Sequence, residues 1–249
     1  MKKLICFAIL IAIELVLCSC GSKAKMIEGD GYKTPEEAIT AYAEALKEMN
    51  LDAMIGCFAV ESYARNFNSR AYLEDQGYYQ TYMYMSLSGK QSSLADQINI
   101  EHVREQILSK IDCQTRTIAL HNSADLFAAY LSGSSITTDD DSNALISAYS
   151  DFSGLGRIEI GDTRDPSSLS DNYENMSDRM TKLAEIDGAD EMCSVAIELK
   201  VEGENWLLSM DADRYGDRWY LRPTGNSVLA NLLSLNDRLG GLMPLENGF

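Results

Sequence analysis

Between residues 195 and 222 apolar residues recur at every second position, and this repeat limits the fold of the chain more than any other feature. Val195, Ile197, Leu199 and Val201 alternate with Ala196, Glu198 and Lys200, the spacing that puts one set of side chains on one face of a β-strand. Glu202-Gly203-Glu204-Asn205 supplies a turn. Trp206, Leu208, Met210 and Ala212 then alternate with Leu207, Ser209 and Asp211, and Arg214-Tyr215-Gly216-Asp217 turns the chain into Arg218-Trp219-Tyr220-Leu221-Arg222. Pro223, which lacks the N–H that a ladder needs, ends this third run. Three half-buried strands joined by short Gly-containing turns predict an antiparallel meander.

The amino-terminal part has the other period. In Thr34-Pro35-Glu36-Glu37, Thr34 suits an N-cap, Pro35 the first helical position, and Glu37 the closing member of a capping box at the positive end of the helix dipole. Ala38, Ile39, Tyr42, Ala43, Leu46 and Met49 follow at three- and four-residue steps, so one stripe of this helix faces a core. Asn50 reads as its stop, and Leu51-Asp52 begins a second short helix with Ala53, Met54, Cys57 and Phe58 as its apolar face. After Pro223, Asn226 or Ser227 caps a C-terminal helix at about 226–239, whose leucines cover the sheet or close its open end and which Gly240-Gly241 stops.

The segment at about 59–191 mixes both periods. Val103, Ile107, Leu108 and Ile111 predict a helix over about 101–113, and Ala124, Leu126, Phe127 and Tyr130 predict another before Ser132-Gly133-Ser134. Asp139-Asp140-Asp141 is placed in a polar loop, Arg157-Ile158-Glu159-Ile160 in a strand, and 171–186 in a polar helix. No Pro/Gly-rich linker marks a domain border.

The capped Thr34-Pro35-Glu36-Glu37-Ala38 helix, the short second helix and a terminal meander ending in Asp217-Arg218-Trp219-Tyr220-Leu221 resemble the NTF2-like (cystatin-like, SnoaL-type) superfamily, particularly its Gram-positive lipoproteins. The resemblance covers about 32–58 and 192–223. It implies an α+β fold in which N-terminal helices pack on a curved antiparallel sheet, a cone whose mouth holds a ligand, here with a large, mainly helical insertion at 59–191. It implies no activity, since that superfamily includes isomerases, cyclases, dehydratases and non-catalytic modules.

Residues 1–31 carry an address. Lys2 and Lys3 precede an uncharged apolar run from Leu4 to Ile13, the layout of a secretory leader. Glu14 interrupts that run well short of the roughly 20 apolar residues a membrane span needs. Leu17-Cys18-Ser19-Cys20 resembles the bacterial lipobox position by position. The resemblance implies a signal peptide over 1–19, diacylglyceryl attachment to Cys20 by the lipoprotein-processing machinery, and a flexible tether over 20–31. An ordinary secretory leader cut after a small residue is the alternative, and would leave Cys20 a plain thiol. With the anchor on Cys20, the domain at 32–249 would sit outside the cytoplasm on the bacterial cell membrane.

The net charge is −17 and one unit more negative without the leader, which loses two lysines and one glutamate. Nucleic-acid binding, which needs a basic face, is excluded as a working reading. Cys57, Cys113 and Cys193 remain for the folded domain, so one disulfide at most can form. The apolar neighbours of Cys57 and Cys193 point instead to buried free thiols.

Candidate chemistry is sparse. His102 and His121 have no acid, Cys or second His at ligand spacing, which argues against zinc. Asp139-Asp140-Asp141-Ser142-Asn143 opens like a calcium loop, but Ala144 stands where the turn Gly belongs and Ser150 where the bidentate Glu belongs. No nucleophile elbow or phosphate-binding Gly loop occurs, and no cofactor is expected. Asp211, Asp213 and Asp217 cluster on a predicted hairpin; two sharing a face would suit acid–base work, whereas hairpin acids are ordinarily surface groups. The run Tyr78-Tyr79-Gln80-Thr81-Tyr82-Met83-Tyr84-Met85 offers Tyr78, Tyr82 and Tyr84 as candidate contacts for a sugar ring, peptide or protein, and serves equally as an amphipathic element packed into the core.

These residues support a lipid-anchored, non-catalytic binding or interaction module for a small molecule, envelope polymer or protein partner. An isomerase or dehydratase using a pocket Asp or Tyr, and a structural protein of envelope assembly, are the competing readings. Replacing Cys20 by Ala is expected to shift the protein from the membrane to the soluble fraction; a variant that still sediments with membranes would contradict the anchor.

Overall fold

The computed structural model describes residues 26–77, 93–121, 123–135, 138–235 and 239–245. Helix α1 (Pro35–Lys47) begins with Thr34 Oγ1 accepting from Glu37 N at 3.2 Å, while Glu37 Oε2 accepts from Lys33 N at 2.9 Å. Its stripe from Ala38 to Leu46 is buried. Met49 lies beyond the end of the helix, takes a φ of 55° and faces solvent. Asn50, expected as a stop, caps the next helix instead: its Oδ1 accepts from Ala53 N and opens α2 (Leu51–Gly56). Met54 and Ile55 of α2 reach the core, and Ala53 is exposed.

Two short helices follow, α3 (Glu61–Asn66) and α4 (Ser69–Asp75). Helix α5 (Ser93–Leu120) has 28 residues and extends well past the expected 101–113 at both ends. Its buried stripe runs Val103, Ile107, Ile111, Gln114, Ile118, and the polar Gln114 disguises the continuation. That glutamine is satisfied: the Tyr42 hydroxyl donates to its Oε1, and its Nε2 donates to Gly240 O at 2.7 Å. After α6 (Ala124–Ser132) comes α7 (Asp139–Ala148). Asp139, Asp140 and Asp141 therefore form the first turn of a helix, not a loop. Thr138 Oγ1 accepts from Asp141 N at 3.1 Å, and the three carboxylates sit at the positive end of the dipole.

Strand β1 (Glu159–Arg164) starts two residues later than expected, because Leu155–Arg157 forms a 3-10 turn. It is followed by α8 (Pro166–Leu169) and α9 (Ser177–Asp187), the latter shorter than the expected 171–186 at its start. The predicted meander is present as β2 (Glu191–Val201), β3 (Glu204–Tyr215) and β4 (Arg218–Leu221). Val195 stands opposite Met210, Ile197 opposite Leu208 and Leu199 opposite Trp206, all in the main core with α1. The other face is covered too: Ala196 and Leu207 pack with Leu229 of α10 (Val228–Leu232). The central strands are thus buried on both faces rather than one.

Helix α10 ends well before the expected residue 239, where Leu235 N turns back to Ala230 O and Ser234 takes a φ of 55°. The chain then adds a strand that periodicity did not announce, β5 (Leu242–Pro244), paired with β3. Gly241 makes this possible: a Cβ there would lie 2.2 Å from Ser209 O. Among the described residues the strands form one antiparallel sheet in the order β1-β2-β3-β4, with β5 also on β3. The fold is α+β, with helices on an antiparallel sheet.

The stretch read as tether through Gly31 joins the domain from Ile27 onward. Ile27 N and Glu28 N donate to the two carboxylate oxygens of Glu61, Ser62 N and Oγ donate to Glu28, and Gly29 N donates to Gly56 O. Cys57, Cys113 and Cys193 are free thiols.

The end of α9 is held by a close backbone contact. Gly188 has φ +68°, and a Cβ on it would lie 2.0 Å from Asn66 O. Gly188→Ala is expected to cost about 2–4 kcal/mol from left-handed strain and this clash, read as a lower midpoint in urea; a change under about 0.5 kcal/mol would contradict the packing described.

Candidate functional site

Strands β4 and β5 pair with the same edge of β3, at opposite ends. β4 opposes Ala212 to Tyr215 and β5 opposes Trp206 to Leu208. Between them the ladder is closed by Arg222 N donating to Asp211 O at 2.8 Å and Ser209 N donating to Gly241 O at 2.9 Å. The chain leaves the sheet at Pro223, and beside this stretch of β3 lies a gap in which side chains of β3 and of other elements meet.

Those side chains are charged. Asp211 and Asp213 share one face of β3 and are almost wholly buried, as is Asp187 at the last turn of α9. An acid at a helix C-terminus meets the negative end of the dipole, and Arg222 offsets this: its Nε and Nη2 clasp the two oxygens of Asp187, the second at 3.1 Å. Its Nη1 donates to Thr224 O at 3.1 Å. Asp211 accepts from Ser194 Oγ at 2.6 Å and from Val228 N at 3.0 Å, tying β2 and β3 to the start of α10. Burial pushes its carboxyl up, and Arg222, Ser194, Val228 N and Lys110 oppose that rise.

Asp213 has no such donors. Both of its oxygens are buried without a conventional donor. Burial first, and then the neighbouring Asp187 carboxylate, push its carboxyl well above the usual range. A proton on Asp213 would turn it into a donor to the neighbouring Asp187, which matches its lack of donors as an anion.

Lys110 of α5 reaches the same gap. Its Nζ donates to Arg222 O at 3.1 Å and lies 5.8 Å from the centre of the Phe58 ring. Desolvation lowers it to about 8, opposed by Asp211 and Asp213 and reinforced by Arg222.

In front of this cluster lies a cavity of about 670 Å³, walled by α3, α4, α5, α9 and the loop after β4. Tyr63, Phe67 and Tyr72 form one wall, with successive ring centres 5.6 Å apart. Lys110 and Arg222 line it, whereas Asp187, Asp211 and Asp213 lie behind them and do not. The carboxylate in the lining is Asp75, bound to Arg179 at 2.9 Å. The volume and the mixture of aromatic faces with a few polar groups suit a small organic ligand.

The expected hairpin cluster is therefore split. Asp211 and Asp213 come together, but inside the protein rather than on its surface, and Asp217 is an exposed turn residue 3.9 Å from Arg218. His102 lines the cavity and contacts Gln106, whereas His121 stands roughly 28 Å further along α5, 3.2 Å from Glu204. Among the described residues no group of three His, Cys, Asp or Glu is arranged for a metal. Tyr78, Tyr82 and Tyr84, and the lipobox residues Leu17, Cys18, Ser19 and Cys20, lie outside the described residues. Reading for motifs missed Asp187, Arg222 and Lys110. A local signal existed for the acids, since Asp211 sits inside a strand whose neighbours are apolar.

No protein-family model matches the chain, and no curated protein matches it. Among solved structures it is similar to a cystatin-like protein from Ruminococcus gnavus, with 16% identity and a TM-score of 0.46. That alignment covers 86% of this chain and 45% of the other, so this chain spans less than half the length of that protein. No helix among the described residues is long and apolar enough to cross a membrane.

Two substitutions separate the buried acids. Asp187→Asn leaves Arg222 without its anion and is expected to cost about 3–5 kcal/mol. Asp213→Asn keeps a neutral donor and is expected to cost under about 1 kcal/mol near pH 5. An acid with a raised folded pKa contributes stability below about pH 4 and loses it progressively up to its folded value. Asp213→Asn should therefore gain on the parent protein as pH rises from 5 to 8 in urea titrations; a constant difference would contradict a protonated Asp213.

Proposed function

We propose that this protein is an extracytoplasmic lipoprotein, held to the membrane through Cys20, whose domain binds a small molecule in the cavity beside the β3 edge. The observation that carries this proposal is the cavity itself: about 670 Å³, lined by Tyr63, Phe67 and Tyr72 together with Lys110 and Arg222. This is within the usual size of small-molecule sites, which supports a compact ligand over an envelope polymer. The helix-on-sheet arrangement agrees with an NTF2-like domain.

Binding without turnover is favoured by where the acids lie. Proton transfer requires a group within hydrogen-bond reach of the substrate. Asp75 is committed to Arg179, and the three buried aspartates stand behind the cavity wall. An isomerase or dehydratase that used Asp187 or Asp211 would need that residue to turn into the cavity, which would break the Asp187–Arg222 clasp or the cap that Asp211 gives α10.

The anchor keeps this site close to the bilayer. The chain is held to the domain from Ile27, so Cys20 to Met26 reach roughly 25 Å at most.

A ligand-detected NMR screen of ring-containing small molecules is expected to yield binders that lose about tenfold in affinity on Tyr72→Ala, equivalent to about 1.4 kcal/mol for one aromatic face. Binders indifferent to Tyr72→Ala would place the site elsewhere.

A further inference from the structure

The chain has 38 acidic and 21 basic residues, yet the cavity lining inverts this balance. Among the described residues, Lys110, Arg179 and Arg222 face it against a single carboxylate, Asp75. Two of these cations are already spoken for: Arg179 by Asp75 at 2.9 Å and Arg222 by Asp187. Lys110 differs, because it has no carboxylate within 4 Å among the described residues. Its Nζ makes one hydrogen bond, to Arg222 O at 3.1 Å, and an ammonium has three protons to give. The Phe58 ring holds it from behind. A partly desolvated ammonium with donors to spare, lining the same cavity as an aromatic wall, is an incomplete ion pair.

We propose that the cavity is a site for a small aromatic monocarboxylate, its carboxylate completing the hydrogen bonds of Lys110 Nζ and its ring lying against Tyr63, Phe67 and Tyr72. This rests on the small-molecule reading of the same cavity. A single charge is the limit. Asp187 and Asp211, close behind Arg222 and Lys110, already offset the local positive charge, so the ligand carboxylate is held by its direct hydrogen bonds to Lys110, and a dianion such as a phosphate monoester would bring a second negative charge with no donor left for it. The carboxylate also matches a point-charge partner, since both remaining ammonium protons can reach its two oxygens.

A proton accompanies this binding. Lys110 faces Asp211 and Asp213 from β3, Arg222 from the end of β4, and the uncharged ring of Phe58. On its own helix, His102 and Cys113 also line the cavity. Burial lowers Lys110 to about 8, so at pH 8.5 much of it is neutral. An arriving carboxylate favours the ammonium and draws a proton from the buffer. His102 is held below its ordinary value and the Cys113 thiol above its own, so neither supplies the same uptake at this pH.

The test uses 2-naphthylacetate and its neutral counterpart 2-naphthylacetamide, titrated calorimetrically into the folded domain in buffers of differing ionisation enthalpy. The acid is expected to bind at least tenfold more tightly than the amide at pH 7, with net proton uptake at pH 8.5 and almost none at pH 6.5. Lys110→Met is expected to bring the acid to within about threefold of the amide and to abolish the uptake. Equal affinity of acid and amide for the parent protein, or tighter acid binding without uptake at pH 8.5, would overturn the carboxylate assignment and leave the cavity as a binding site for neutral rings. Absence of binding by both compounds would overturn the cavity reading, and this assignment with it. The comparison within the parent protein decides the matter even if the Lys110 variant does not fold.

Discussion

The clasp between Asp187 and Arg222 is the interaction on which the site depends. It joins the last turn of α9 to the end of β4, two pieces of chain that meet only in the folded protein. A buried pair of this kind contributes little net stability, because desolvation of both charges offsets most of their attraction; breaking one half, however, strands the other. Its effect is therefore on geometry. With Asp187 fixed, Arg222 holds Thr224 O and presents its own carbonyl to Lys110, so one guanidinium positions the loop after β4 and the cation that faces the cavity.

Around that pair the charges nearly cancel. Arg222 and Lys110 face Asp187 and Asp211, and burial together with the neighbouring Asp187 anion pushes the Asp213 carboxyl well up, with no donor of its own to oppose them. A third ionised carboxylate that lacks a donor is costly in this enclosed cluster. The neutral acid instead supplies the hydrogen bond that an anion could not. This balance leaves Lys110 available to a ligand, since the acids behind it are held by Arg222, Ser194, Val228 N and each other.

Much of the scaffold was legible in the sequence because its signals are local. Thr34-Pro35-Glu36-Glu37 marks α1, and alternation marks β2 to β4 to within a few residues. What was hidden depends on partners distant in sequence. Helix α5 continues through Gln114 because Tyr42 and Gly240 satisfy a glutamine inside the core, and β5 exists because Gly241 lets its backbone approach Ser209. Asp211 and Asp213 looked like surface hairpin acids, since the residues that make their burial tolerable come from α5, α9, β2 and the far end of β4. A pattern one strand long cannot show that both of its faces will be covered.

The attraction of Lys110 for a ligand anion depends on the protonation of Asp213, because an ionised Asp213 would add a negative charge behind Lys110 and weaken that attraction. The measurement is the side-chain carboxyl ¹³C shift of Asp213, followed by NMR from pH 4 to 8 and assigned with the Asp213→Asn variant. The account predicts that the resonance keeps the position of a protonated carboxyl through pH 7. A resonance that titrates near pH 4, as an ordinary aspartate does, would contradict it.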